Sequence, residues 1–272
     1  MKPTGDLASI YGFTEIAFAD DFSSDRLDGA RWNIQVSKKQ KNFEEQTYIN
    51  SDETIYILQK DGALDFDGHA LAIHPRYRPG YPSAEGKVFD FTSGRVDTVG
   101  KFDFTYGLIS ARMRLPVGQG LWPAFWLLGD DRWPDCGEID IMENVGDPTW
   151  FSSGVHGPGY SGDAGLINSY YLSELEDLTS WHVYSAAWSP NMIDFFVDDI
   201  LVNRLTKPMI NYFGHWAFDN RKHIIINFAI GGNYPFKING NKVPYFGLPQ
   251  KTVDEIKKDR VRVLVDWIKV YQ

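Results

Sequence analysis

The chain has 272 residues, 43% of them hydrophobic and 15% aromatic, with a formal net charge of −9. That length suits one large all-β core, and the acidic balance argues against a nucleic-acid or anionic-membrane partner, either of which needs a basic face to meet phosphates. No apolar run approaches the ~20 residues that span a bilayer, and the single cysteine, Cys136, excludes an intrachain disulfide and a cysteine-built zinc site.

In chain order, Pro75, Pro79, Gly80, Pro82 and Gly86 predict a long loop over residues 75–90. Ile109, Ala111, Met113 and Leu115 alternate with Ser110, Arg112 and Arg114, the pattern of a strand with one wet face. A turn at Gly118-Gln119-Gly120 follows, then an acidic strand over residues 137–144, then a second turn at Gly157-Pro158-Gly159. Ser173 to Asp177 predicts one or two helical turns. The continuous apolar runs Ile193 to Val197 and His223 to Ile230 predict strands buried on both faces, with Gly231-Gly232-Asn233 turning the chain after the second. A short helix is expected near Val253 to Lys257. The closing strand then sets Val261, Val263, Val265 and Trp267 on one side against Arg262 and Asp266 on the other. Repeats, low-complexity tracts and linkers are missing from the sequence, so residues 1–272 are expected to form a single all-β domain, an antiparallel sandwich.

The chemistry is concentrated in Glu138-Ile139-Asp140-Ile141-Met142-Glu143. Strict alternation would turn Glu143 to the apolar face; one surplus residue, Met142, absorbed as a β-bulge returns it to the side of Glu138 and Asp140. Two strand repeats separate the glutamate Cα atoms by roughly 13 Å, whereas retaining glycoside hydrolysis needs carboxyls about 5–5.5 Å apart. Inward-leaning side chains would have to close that gap. One carboxylate would then attack an anomeric carbon while the other, kept protonated by its neighbours' charge, donates to the leaving oxygen. Two other readings of the acids are a solvated surface strand and a Ca²⁺ or Mg²⁺ site. Cys136 is expected to be a small buried thiol. Trp122, Trp126 and Trp133 crowd this strand in sequence, as aromatic platforms for sugar rings or as core.

These residues resemble glycoside hydrolase family 16, whose bulged branch carries Glu-x-Asp-x-x-Glu. Similar stretches include Ser93-Gly94-Arg95, Gly120 to Trp126, and Val155 to Gly162, and these resemble bacterial laminarinases. The resemblance implies a β-jelly-roll of two antiparallel sheets with a concave substrate cleft. It also implies Glu138 as nucleophile, Glu143 as acid/base and Asp140 as the residue that tunes them. Substrate binding would fall to Trp122, Trp126, Trp133, His156, Arg95 and Asn42. It implies no organic cofactor, and it allows a structural Ca²⁺ at Asp21, Gly68 and Asp266, where a plain salt bridge of Asp266 is the alternative. The activity so implied is retaining endo-β-1,3-glucanase on laminarin-type β-glucan, by a secreted monomer. The segment Met1 to Ser9 has no apolar signal core, so a secretion signal would lie outside these residues. Alternatives within the family are mixed-linkage β-1,3-1,4-glucan and agarose-type galactan; a non-catalytic glucan-binding protein would be expected to lose the glutamates. The chain departs from the family pattern at Asn42-Phe43-Glu44-Glu45-Gln46 and at Ala187-Trp188.

Overall fold

The computed structural model describes residues 5–37, 39–59, 68–173 and 176–272. Two eight-stranded sheets stack as a jelly-roll sandwich, and a three-stranded sheet flanks them. One large sheet is built around strand Gly107–Arg114, which pairs antiparallel with His182–Ser189 on one side and with the closing strand Val263–Tyr271 on the other. The other large sheet is built around Leu121–Leu128, flanked by Glu138–Glu143 and Lys222–Ile230.

Alternation fills the space between the sheets. Leu121, Phe125, Leu127, Ile139, Ile141 and Met142 from one sheet join Ile109, Tyr184, Trp188, Phe195 and Val265 from the other in a single buried cluster. Both residues of the expected bulge therefore point into the core. The register shows how. Trp126 faces Asp140 and Phe125 faces Met142, so Ile141 is the residue that drops out of step with this neighbour. On the other side Gly154 faces Asp140 while Ser152 faces Glu143, so Ile141 and Met142 together oppose Ser153. The bulge is real, and Ile141 shares with Met142 the part expected of Met142 alone.

Other expectations are corrected. Residues 75–90 are mostly a hairpin, Arg76–Pro82 against Val88–Ser93, not a loop; a register shift between Tyr77 and Tyr81 lets Pro79 and Gly80 sit in an edge strand. The polar face of Gly107–Arg114 is not wet. Ser110 receives a hydrogen bond from the Ser185 hydroxyl, and Arg112 pairs with Asp266 beneath Trp181, so both are buried and only Arg114 at the strand's end is half-exposed. In the closing strand a second bulge, opposite Arg112 and Met113, passes the inward positions from Val265 to Ile268 and turns Trp267 out of the core. The helix near Val253 to Lys257 is present as Gln250–Lys257, while Glu174 and Leu175 of the other expected helix lie outside the described residues. Among the described residues three α-helices were not expected, Gly5–Ile10, Lys207–Phe213 and Asn233–Asn239. No helix among the described residues is long and apolar enough to cross a membrane.

Because Met142 is fully buried, Met142→Ala is expected to lower the unfolding free energy by about 2–5 kcal/mol in urea titration. A change near zero would place that side chain outside the core.

Candidate active site

With Ile139, Ile141 and Met142 committed to the core, Glu138, Asp140 and Glu143 emerge together on the opposite face of the sheet. On the neighbouring strand Trp122 and Trp126 share that face, two residues to either side of Ala124, which lies opposite Glu143. His156 lies opposite Glu138 on the other neighbour.

Each acid has a different environment. Glu138 accepts a hydrogen bond from Trp133 Nε1 at 2.9 Å. Burial holds its carboxyl above the usual range, and the Trp133 N–H, a hydrogen bond with Asp140 and the positive charges of Arg95 and Lys41 oppose that rise. Asp140 is almost fully enclosed; burial first, then repulsion from Glu138 and Glu143, hold it well above the usual carboxylate range. It is therefore the proton carrier in its hydrogen bond with Glu138. Glu143 accepts from Trp122 Nε1 at 2.9 Å. Burial pushes it up to about 7, the Trp122 N–H opposes this, and the charge on Glu138 adds to it. Of the two glutamates, Glu138 has the greater support as an anion and Glu143 the lesser.

His156 Nε2 stands 3.4 Å from Asp140 Oδ2 and 4.0 Å from Glu138 Oε1. Burial lowers it to about 4, so it is neutral and serves as a polar wall. Among the described residues, the group that could close around a metal is Glu138, Asp140 and His156, not the three carboxylates of the sequence reading. One imidazole with two carboxylates is a poor match to the all-oxygen shell of Ca²⁺ or Mg²⁺.

Of the expected binding residues, Trp122, Trp133 and His156 touch or face the acids. Trp126 is fixed through its N–H to Asn227 Oδ1 at 2.7 Å, and Arg95 lies over its ring at 4.9 Å. Asn42 sits farther out, in a left-handed turn, with its amide donating to Glu44. Sequence reasoning missed Tyr234, whose ring packs edge-on against Trp122 at 5.5 Å and whose hydroxyl meets Ser152. It also missed Asn227, Tyr48 and Glu44, which extend the polar network below Arg95. Asn227 could have been found, as the lone amide inside the apolar run His223 to Ile230. Cys136 is buried and its thiol is raised by burial, as expected of a packing residue. Asp21 and Asp266 belong to other parts of the fold: Asp21 accepts the Ser23 N–H, and Asp266 faces Arg112 in the other sheet.

Paired buried carboxylates with separate donors, framed by indoles, are the equipment of glycoside cleavage. Comparison with known proteins agrees: the model of glycosyl hydrolases family 16 matches residues 31–230. The chain belongs to that family. It is 35% identical over 231 residues to a beta-glucanase of Rhodothermus marinus, covering 80% of this chain and 76% of that one. It is 27% identical to glucan endo-1,3-beta-glucosidase A1 of Niallia circulans, but spans only 35% of that protein's length. The structure superposes on the endo-beta-1,3-glucanase of Pyrococcus furiosus with a TM-score of 0.81 and 31% identity, covering 95% of this chain and 94% of that one.

For this glycoside hydrolase, Trp122→Phe removes the one N–H seen on Glu143 and so raises its pKa further. The alkaline limb of kcat/KM is expected to move to higher pH, alongside a lower rate. A limb that stays fixed would separate Trp122 from Glu143.

Proposed function

We propose that this family 16 enzyme is an endo-β-1,3-glucanase acting on laminarin-type glucans with retention of configuration. The observation that carries the reading is the unequal setting of the two buried glutamates: Glu138 has several partners that oppose its protonation, while Glu143, raised to about 7, is opposed by the Trp122 N–H. Glu138 attacks the anomeric carbon and forms a glycosyl ester with it as the glycosidic carbon–oxygen bond breaks, while Glu143 passes its proton to the departing oxygen, which leaves as a hydroxyl on the released chain. Glu143, now ionised, takes a proton from water; the hydroxide oxygen displaces Glu138 and restores both groups. Asp140 steadies the Glu138 carboxylate by donating its proton in a hydrogen bond. The relatives named above support the β-1,3 assignment by their own activities.

Glu138→Ser is expected to abolish laminarin turnover and to leave oligosaccharide binding intact, measured by reducing-end release and calorimetry. Full turnover by that variant would remove the mechanism. Wild-type activity is expected to fall as pH rises through about 7, where Glu143 loses its proton; a rate flat to pH 10 would contradict its role. A panel of laminarin, mixed-linkage glucan and agarose, followed by fragment size, tests the linkage.

A structural Ca²⁺ is a separate proposal, together with a monomeric, extracellular enzyme. Along one edge of the closing strand, Asp20 pairs with Ile268 and Leu71 pairs with Val265, so the chain near Asp21 and Gly68 converges on the stretch between them, which contains Asp266. Carbonyl oxygens there and the Asp266 carboxylate would hold the ion and tie the terminal strands together, while Arg112 competes for the same carboxylate. A fall in Tm on adding EDTA, reversed by Ca²⁺, is the expected result; an unchanged Tm would leave Asp266 as an ion-pair residue.

A further inference from the structure

Lys222 is fully buried at the head of strand Lys222–Ile230, and the chemistry described above makes no use of it. Its Nζ lies within hydrogen-bond distance of four oxygens: the carbonyls of Cys136 at 2.8 Å, Gly137 at 3.1 Å and Ala217 at 3.2 Å, and Asn220 Oδ1 at 2.7 Å. An ammonium has three N–H donors and no acceptor, so a cage made only of oxygens suits the charged form. The rings of Phe218 and Trp188, at 5.3 and 5.7 Å, close the remaining sides and favour a cation.

Two of these carbonyls belong to the residues immediately before Glu138. Gly137 adopts φ +67, and a Cβ there would meet Ala217 O at 2.2 Å and Lys222 Nζ at 3.0 Å, so this glycine makes room for the lysine. Asn220 reinforces the same peptide by donating to Cys136 O at 3.0 Å. Lys222 does not come from a strand paired with the acidic strand. It reaches past the end of Leu121–Leu128, whose last residue, Leu128, lies opposite both Glu138 and His223.

We propose that Lys222 is a positioning residue for the glycosidase reaction: its ammonium clamps the Cys136–Gly137 peptides and so fixes the backbone from which the nucleophile Glu138 projects. The assignment rests on the activity proposed above. The titratable groups facing it are Cys136 and Glu138 from the acidic segment, Asp131 from the loop before it and Asp219 from the turn ahead of its own strand. Burial draws Lys222 down to about 7 against their pull, so the clamp carries its charge under acidic conditions.

The test compares Lys222→Met and Lys222→Arg with wild type, using laminarin or the best substrate of the panel. Lys222→Met is expected to lower kcat about ten- to a hundredfold with KM within about twofold. It should also move the acid limb of kcat/KM to higher pH, because Glu138 loses a stabilising cation. Lys222→Arg should keep the limb at its wild-type position. A Lys222→Met enzyme with lower Tm but unchanged kcat and limb would reduce the lysine to a structural peg and overturn the proposal. Should that variant fail to fold, ¹⁵N NMR of the wild-type lysine side chains decides. A slowly exchanging Lys222 ammonium whose shift follows the titration of Glu138 supports the clamp, and one indifferent to Glu138 refutes it. Wild type inactive on every glucan would instead count against the activity reading.

Discussion

The site depends on a change of step within one strand. From Glu138 to Asp140 the acidic segment obeys the two-residue period of a pleated strand; at Ile141 and Met142 it turns two consecutive side chains inward, and Glu143 regains the outer face. Both inward residues are gripped by the same buried cluster that joins the two sheets, so the bulge is held by packing, not by the acids it presents. Three carboxylates whose mutual repulsion would otherwise drive them apart are thereby kept on one side of a rigid element.

Charge on that face is then divided by local partners. Indole N–H groups serve each glutamate separately, Trp133 for Glu138 and Trp122 for Glu143. Asp140 and the distant cations assist only Glu138. In a poorly hydrated environment such differences are amplified, so two residues of identical chemistry, both raised by burial, hold their protons unequally. The indoles thus bear on the proton balance of the acids through their edges.

Much of this could be read from the sequence because it was local. Alternation, turn clusters and the spacing of Glu138, Asp140 and Glu143 identified the sandwich and its acidic strand. What escaped depended on partners remote in sequence. The polar face of Gly107–Arg114 reads as wet until Asp266 and Trp181 are known to cover Arg112. The run of prolines and glycines over residues 75–90 is a local exception: it reads as a loop because Pro79 and Gly80 break the strand pattern, and they are accommodated by a register shift in an edge strand paired with the neighbouring Val88–Ser93. Tyr234 reaches the site from the start of helix Asn233–Asn239 and Glu44 from the turn after Asn42, stapled where Asn233 donates its backbone N–H to Asn42. Lys222 looks like an ordinary surface cation ahead of an apolar run; only the fold shows it enclosed by carbonyls beside Glu138.

The most direct measurement is a ¹³C NMR titration of the glutamate side-chain carboxyls, with Glu138 and Glu143 assigned by single substitution. The account predicts that Glu143 titrates with a midpoint near 7 and that Glu138 loses its proton at lower pH than Glu143. If both glutamates titrated together below pH 5, or if Glu138 kept its proton to the higher pH, the division of charge by this strand and its partners would be contradicted.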